Sequence, residues 1–136
     1  MSVLDASLAV DLILGRPRGE GWHDWVAEAN LAAPDHLVAE CGQALRRLVL
    51  HAGLDAERAL LGLDTLLTLP IAFYPTSLFA QEAFTLRDNF TFDDALYVVM
   101  AQRLGEDLAS TDDRLAAATR QFTAVPLATP LVDSAG

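Results

Sequence analysis

Four acids in this chain stand where apolar stretches give way to helices, or in the opening turns of those helices: Asp5, Glu40, Asp94 and Asp112. In an open α/β sheet, strand ends and helix N-termini converge on one edge, and the working site lies there. Four carboxylates gathered at such an edge repel one another and take up protons unless a cation is near. A divalent ion removes that repulsion. An oxygen-only donor set without Cys or His points to Mg2+ or Mn2+ rather than zinc. Taken singly, each acid also has a structural reading. Asp5 can cap the helix that starts near Ser7. Thr91 and Asp94 form a variant capping box, Thr-Phe-Asp-Asp. Ser110 and Asp113 form a similar one, Ser-Thr-Asp-Asp, which leaves Asp112 in a first turn favoured by about 0.3–1 kcal/mol through the helix dipole. Glu40 lies beside Leu37 and Ala44 at the edge of an apolar stripe, an ordinary place for a solvated side chain.

Other chemistries lack their residues. There is no Gly-x-Ser-x-Gly, P-loop or Gly-x-Gly-x-x-Gly pattern. His23, His36 and His51 have no metal-ligand spacing, and His36 and His51 read as surface residues at helix ends. The single Cys41 sits on an apolar stripe, where a buried inert thiol is the common case. It also excludes an internal disulfide and a multi-cysteine zinc site.

Pro and Gly punctuate the elements that must position the acids. Ser2 to Leu4 is β-prone and ends at Asp5. Ser7 to Leu14 reads as a helix stopped by Gly15 and Pro17, and Arg16 to Gly21 as a loop. Trp22 to Asn30 has helical spacing, and Leu31 to Pro34 is extended. A long helix from His36 to Ala52 carries the stripe Leu37, Cys41, Ala44, Leu45 and Leu48. Asp55 caps a second helix to about Leu67, and Ile71 to Tyr74 is a strand. Thr76 to Arg87 is helical, as is Thr91 to Leu104. The latter has an unbroken apolar run, Ala95 to Ala101, that requires burial on several sides. Asp107 to Ser110 is a strand, Asp112 to Arg120 a helix, and Phe122 to Leu127 a last short strand. Strands alternating with helices predict an α/β fold on a parallel sheet. One domain over residues 1–136 is expected, with a loose tail from Thr129.

Composition narrows the setting. The 136 residues include 19 acids and 9 bases, all of them arginine, for a net charge of −10. Such a surface repels phosphate backbones at long range and argues against a simple nucleic-acid coat. It fits a cation-binding site or a basic partner. A 52% hydrophobic content excludes disorder as a description of the whole. No apolar run approaches the ~18 residues of a membrane span, and the acidic start does not resemble a secretory signal. An intracellular protein without a membrane role is the expectation.

The spacing of these motifs resembles the PIN-domain ribonucleases of the VapC toxin type. Val3-Leu-Asp-Ala-Ser7, followed by Leu-Ala-Val-Asp-Leu, is similar to the family's first strand and helix. Ala33-Pro34 through Glu40 to Ala44-Leu-Arg-Arg-Leu48 resembles its second acidic motif. Leu86-Arg-Asp-Asn89 leading to Asp94-Ala-Leu-Tyr97 resembles the third, and Leu108-Ala-Ser-Thr-Asp112-Asp-Arg-Leu115 the fourth. Each motif is weak alone; four in order across one small chain are specific. Ser110 departs from the usual threonine but keeps the hydroxyl. Asp93 stands where an aromatic residue is frequent, and Asp113 doubles Asp112, so both are second-choice acids.

The resemblance implies a three-layer α/β/α fold and a toxin of a type II toxin–antitoxin module that cleaves RNA, typically tRNA or rRNA, with Mg2+ or Mn2+. It assigns Asp5, Asp94 and Asp112 as direct or water-mediated ligands, and Glu40 to a second ion or a water. Ser7, Ser110 and Thr111 become candidates to hold the ligands or a phosphate, and Arg16 and Arg18 to grip RNA from a nearby loop. It also implies a small VapB-type antitoxin, a homodimer, a toxin–antitoxin hetero-oligomer and a bacterial cytoplasmic setting. An apolar surface around Val10, Ile13, Trp22 and Trp25 reads either as the antitoxin groove or as core. Two rivals remain: a catalytically silent PIN-like binding domain, and an acid-cluster phosphatase. The phosphatase reading is weakened because Asp5-Ala-Ser7 lacks the second acid of an Asp-x-Asp nucleophile.

Overall fold

A computed structural model describes residues 1–130. Four short strands form one parallel sheet: β1 (Ser2–Leu4), β2 (Leu31–Pro34), β3 (Ile71–Tyr74) and β4 (Asp107–Ala109), in the order β3-β2-β1-β4. Helices α1 (Ala6–Leu14) and α2 (Trp22–Glu28) connect β1 to β2; α3 (Leu37–His51) and α4 (Ala56–Thr68) connect β2 to β3. The chain then returns through α5 (Ala80–Thr85) and α6 (Phe92–Leu104) to β4, on the far side of β1. Right-handed crossovers moving in opposite directions place their helices on opposite faces. The α/β/α layering follows, and the switch in direction falls between β1 and β4. Helix α7 (Asp113–Phe122) closes the ordered elements.

The expected parallel α/β architecture is present. Helix α6 packs across β1, β2 and β4. Its residues Ala95 to Ala101 are all buried, as their apolar run requires. Val3, Leu4, Ala32, Ala33, Leu108 and Ala109 supply the sheet's share of the core. The small alanines of β2 and β4 let helices lie close to the strands beside Asp5. Gly15 and Gly105 end α1 and α6 in the left-handed conformation, at φ 64° and 65°, which a side chain would strain.

Several elements differ from the sequence reading. The helix expected over Thr76 to Arg87 is split into a 3-10 turn, Thr76–Leu78, and α5. Between them stands Phe79 (φ −117°, ψ −4°), only 3% exposed, its ring in the core. The strand expected over Phe122 to Leu127 is a single parallel bridge, Leu127 to Leu108. Helix α7 runs on to Phe122, and Pro126 and Pro130 occupy the positions whose N–H groups would donate the next ladder bonds on either side. The Arg16 to Gly21 loop contains a 3-10 turn, Pro17–Gly19. Asp55 occupies the N-cap position of α4 but makes no side-chain capping bond. Of the expected loose tail, residues 131–136 lie outside the described residues. Val10, Ile13 and Trp22 are buried at 5% each, with Trp25 packed edge-on against Trp22 at 5.0 Å, so that surface is core and not an open groove. Among the described residues no helix is long and apolar enough to cross a membrane.

Candidate active site

Asp5 is the first residue after β1, at the topological switch. It caps α1, its Oδ1 accepting the Leu8 N–H at 3.0 Å. Ser7 Oγ donates to the same carboxyl at 2.8 Å, and Ser110 Oγ, just beyond β4, donates to Oδ2 at 2.5 Å. The two hydroxyls lie 3.2 Å apart, and they accept the backbone N–H groups of Thr111 and Asp112 at 3.2 and 3.0 Å. The ends of β1 and β4 are thus stitched together around one carboxylate. Asp5 is 3% exposed, and among the described residues no arginine pairs with it. Burial pushes its pKa up to about 7, against three hydrogen bonds that pull it down, with the charge of Asp94 adding to the rise. Capping and clustering were alternatives in the sequence; Asp5 does both.

Glu40, Asp94 and Asp112 line the same cleft, about 620 Å³, together with Asp5. Asp94 lies in the first turn of α6, where Thr91 Oγ1 accepts its N–H at 3.2 Å. Its pKa is raised by burial and by the charges of Asp112 and Glu40. The expectation that Asp112 lies in the first turn behind a Ser110–Asp113 box does not hold. Asp112 is itself the N-cap of α7, with Oδ1 accepting the N–H groups of Arg114 and Leu115 at 2.9 and 3.2 Å. The physical reason is Ser110, whose hydroxyl is committed to Asp5 and to the Asp112 N–H and so is not free to cap. Oδ2 of Asp112 makes no hydrogen bond among the described residues. Asp113 is 89% exposed and paired with Arg18 at 2.9 Å. Asp93 does not line the cleft.

Glu40 is half-buried and clamped. Tyr97 Oη donates to its Oε1 at 2.6 Å, and His36 Nε2 lies 3.2 Å from the same oxygen. Burial alone would raise the Glu40 pKa, but the His36 and Tyr97 bonds hold it below the usual value. His36 is therefore not the surface residue the sequence suggested. Its ring stacks on Tyr97 at 4.7 Å, and Nε2 also faces the Asp93 carbonyl at 3.1 Å. Both neighbours are acceptors, so Nε2 carries a proton. Burial lowers the His36 pKa, but the bond to Glu40 and its charge carry it above the ordinary value. His36, Glu40 and Asp93 bring ligand-type atoms within 4.8 Å of one another, a grouping that sequence spacing did not reveal.

Thr111 does not reach the Asp5 carboxyl. Its hydroxyl donates to Asp11 Oδ2 at 2.6 Å, and Asp11 is buried at 6% with Arg16 Nε 3.6 Å from its other oxygen. Sequence reasoning missed Asp11, His36 and Tyr97. A lone acid inside the apolar run Ser7 to Leu14 was a usable signal for Asp11, and the His36–Glu40 spacing of four residues one for His36. Tyr97 had none, lying in a run that reads as plain core. Cys41 is buried, with its thiol pushed up to about 12, and is inert as expected.

Carboxylates at the switch of a short parallel sheet, one of them buried with no arginine paired to it, are an arrangement that could hold a divalent ion. The PIN domain profile matches residues 2–121 of this chain. Ribonuclease VapC12 of Mycobacterium tuberculosis is 35% identical over 116 residues, covering 85% of this chain and 90% of that protein. Ribonuclease VapC1 of the same organism is 38% identical over 118 residues, covering 85% and 89%. The chain belongs to the PIN domain family and, within it, to the VapC ribonucleases. The crystal structure of M. tuberculosis VapC20, described as a Sarcin-Ricin loop cleaving toxin, aligns with a TM-score of 0.68 over 87% of this chain and 95% of that one. At 16% identity that likeness speaks for the fold alone.

Proposed function

We propose that the cleft hydrolyses RNA phosphodiester bonds with Mg2+, or Mn2+ in its place, held by Asp5, Asp94 and Asp112, and that the chain is the toxin of a toxin–antitoxin module. The observation that carries this reading is Asp5: a buried carboxyl with three neutral donors and no cationic partner. What it lacks is positive charge, and an all-oxygen donor set supplies what Mg2+ or Mn2+ prefers. When bound, the ion supplies a water of lowered pKa and offsets charge on the phosphate.

The chain's own residues do the rest. Ser7, Ser110 and the Leu8 N–H fix the Asp5 carboxyl in one orientation, so a ligand finds it already set. Asp112 commits one oxygen to its helix, which leaves the other for the ion. Glu40, kept ionised by Tyr97 and His36, orients a water or holds a second ion. Asp93 and Asp113 stand outside this set, one off the cleft and one paired with Arg18. Single-stranded or loop RNA suits an open cleft because its backbone is accessible. A tRNA or rRNA loop is the proposed target; the structural neighbour VapC20 is described as a Sarcin-Ricin loop cleaving toxin. A VapB-type antitoxin, a homodimer, their hetero-oligomer and action as a single domain in the bacterial cytoplasm complete the proposal.

The test is controlled expression in bacteria with sequencing of new RNA 5′ ends, wild type beside Asp5→Asn. Growth arrest with a dominant cut that the variant lacks supports the reading. Arrest or cuts that persist in Asp5→Asn overturn it.

A further inference from the structure

Nine arginines carry all of the chain's basic side-chain charge, and four of them, Arg16, Arg18, Arg47 and Arg114, line the acid cleft. That concentration is unexpected in a protein of net charge −10. The four are not equivalent. Arg16 is paired with Asp11 and Arg18 with Asp113. Arg47 and Arg114 are exposed and, among the described residues, have neither an ion pair nor a side-chain hydrogen bond; the charge of Arg47 reaches Glu40 from a distance and helps to lower its pKa.

Their positions follow from the topology. Arg47 lies on α3, two turns beyond Glu40, and α3 follows β2. Arg114 lies in the first turn of α7, directly after β4. Strands β2 and β4 flank β1 on opposite sides, so the two arginines come to the cleft of Asp5 from elements that follow different neighbours of β1. Both arginines belong to the one cleft that Asp5 lines. An RNA strand crossing the edge of the sheet would pass one guanidinium, then the acids, then the other. A planar guanidinium not bonded to a carboxylate is suited to a phosphate.

We propose that Arg47 and Arg114 hold the RNA phosphates on either side of the one that is cut, and so provide the path by which a polyanion enters an acidic protein. The assignment rests on the reading of the cleft as an RNA site. Arg16 and Arg18, the loop residues first suggested by the sequence, enter the cleft already partnered and contribute less.

Binding of a fluorescently labelled single-stranded RNA to the full chain in EDTA tests this, by anisotropy across a salt series. Each phosphate contact contributes roughly 0.7 to the slope of log affinity against log salt for a single strand. Arg47→Ala and Arg114→Ala should each flatten the slope by roughly 0.7, and the double variant by roughly 1.4. Arg120→Ala, an exposed arginine outside the cleft, should leave it unchanged. Melting curves should match the parent for all three positions. A slope untouched at Arg47 and Arg114, or equally reduced at Arg120, overturns the assignment while leaving the cleft reading intact. A parent protein that neither binds nor cuts RNA overturns the cleft reading itself.

Discussion

Asp5→Asn should make the metal-free protein more stable while abolishing its activity. The wild-type carboxyl is 3% exposed, with its pKa pushed up to about 7 from 3.8 by burial. Below pH 4 the folded and unfolded states both hold the proton, and Asp5 contributes nothing to the difference. As pH rises above 4 the unfolded state ionises first, so stability falls until the folded carboxyl also ionises near pH 7. A gap of about 3 units at about 1.4 kcal/mol each gives a loss on the order of 4 kcal/mol by pH 8. Asparagine removes that loss and still serves as an N-cap. Its amide replaces an acceptor among the Ser7 and Ser110 hydroxyls, which offsets about 1–3 kcal/mol. The net gain at pH 8 is roughly 1–3 kcal/mol, or a rise in Tm of roughly 3–10 °C. At pH 4, where the wild-type carboxyl costs nothing, only the amide's cost remains and the variant should be the less stable by roughly 1–3 kcal/mol. Melting curves in EDTA at pH 4, 6 and 8 measure it, and repetition with Mn2+ should stabilise only the wild type. A variant less stable than wild type at pH 8 in EDTA would refute the argument that Asp5 is held as an uncompensated charge.

Tyr97→Phe removes the 2.6 Å donor to Glu40 while keeping the ring that stacks on His36. The expected loss is about 1.5–3 kcal/mol for a bond to a charged group, seen as a higher Mn2+ concentration for half-maximal cleavage; an unchanged midpoint would count against the clamp. Thr111→Val leaves the buried Asp11 without its hydroxyl donor, and should cost about 1–3 kcal/mol in urea unfolding with m unchanged. A loss below about 0.5 kcal/mol would mean that Arg16 alone satisfies Asp11.

Much of the fold was legible because its signals are local. The apolar run Ala95 to Ala101 announced a helix buried on all sides, and strands followed by capped helices announced a parallel sheet. The alignment of four acids with that pattern located the cleft. What escaped was decided across the chain. Ser110 reads as a helix cap in its own segment, yet its hydroxyl is claimed by Asp5, 105 residues away. Tyr97 reads as core until Glu40, 57 residues away, is seen to accept its hydrogen bond. The final strand failed for a local reason that was visible, Pro126 and Pro130, but its consequence depends on which side faces β4. The structural roles of Asp5 and Asp112 as caps do not compete with their proposed role in the cleft. A capping carboxylate uses one oxygen on the helix and is held rigid for a ligand by doing so.

The central claim is that the acids of this cleft cut RNA with a divalent ion. Cleavage of a labelled single-stranded RNA by purified wild type and Asp94→Asn, in Mn2+ and in EDTA, tests it most directly. Defined products are expected from the wild type in Mn2+ alone, with a loss on the order of a hundredfold or more in the variant. Equal cleavage in EDTA, or full activity in Asp94→Asn, would contradict it.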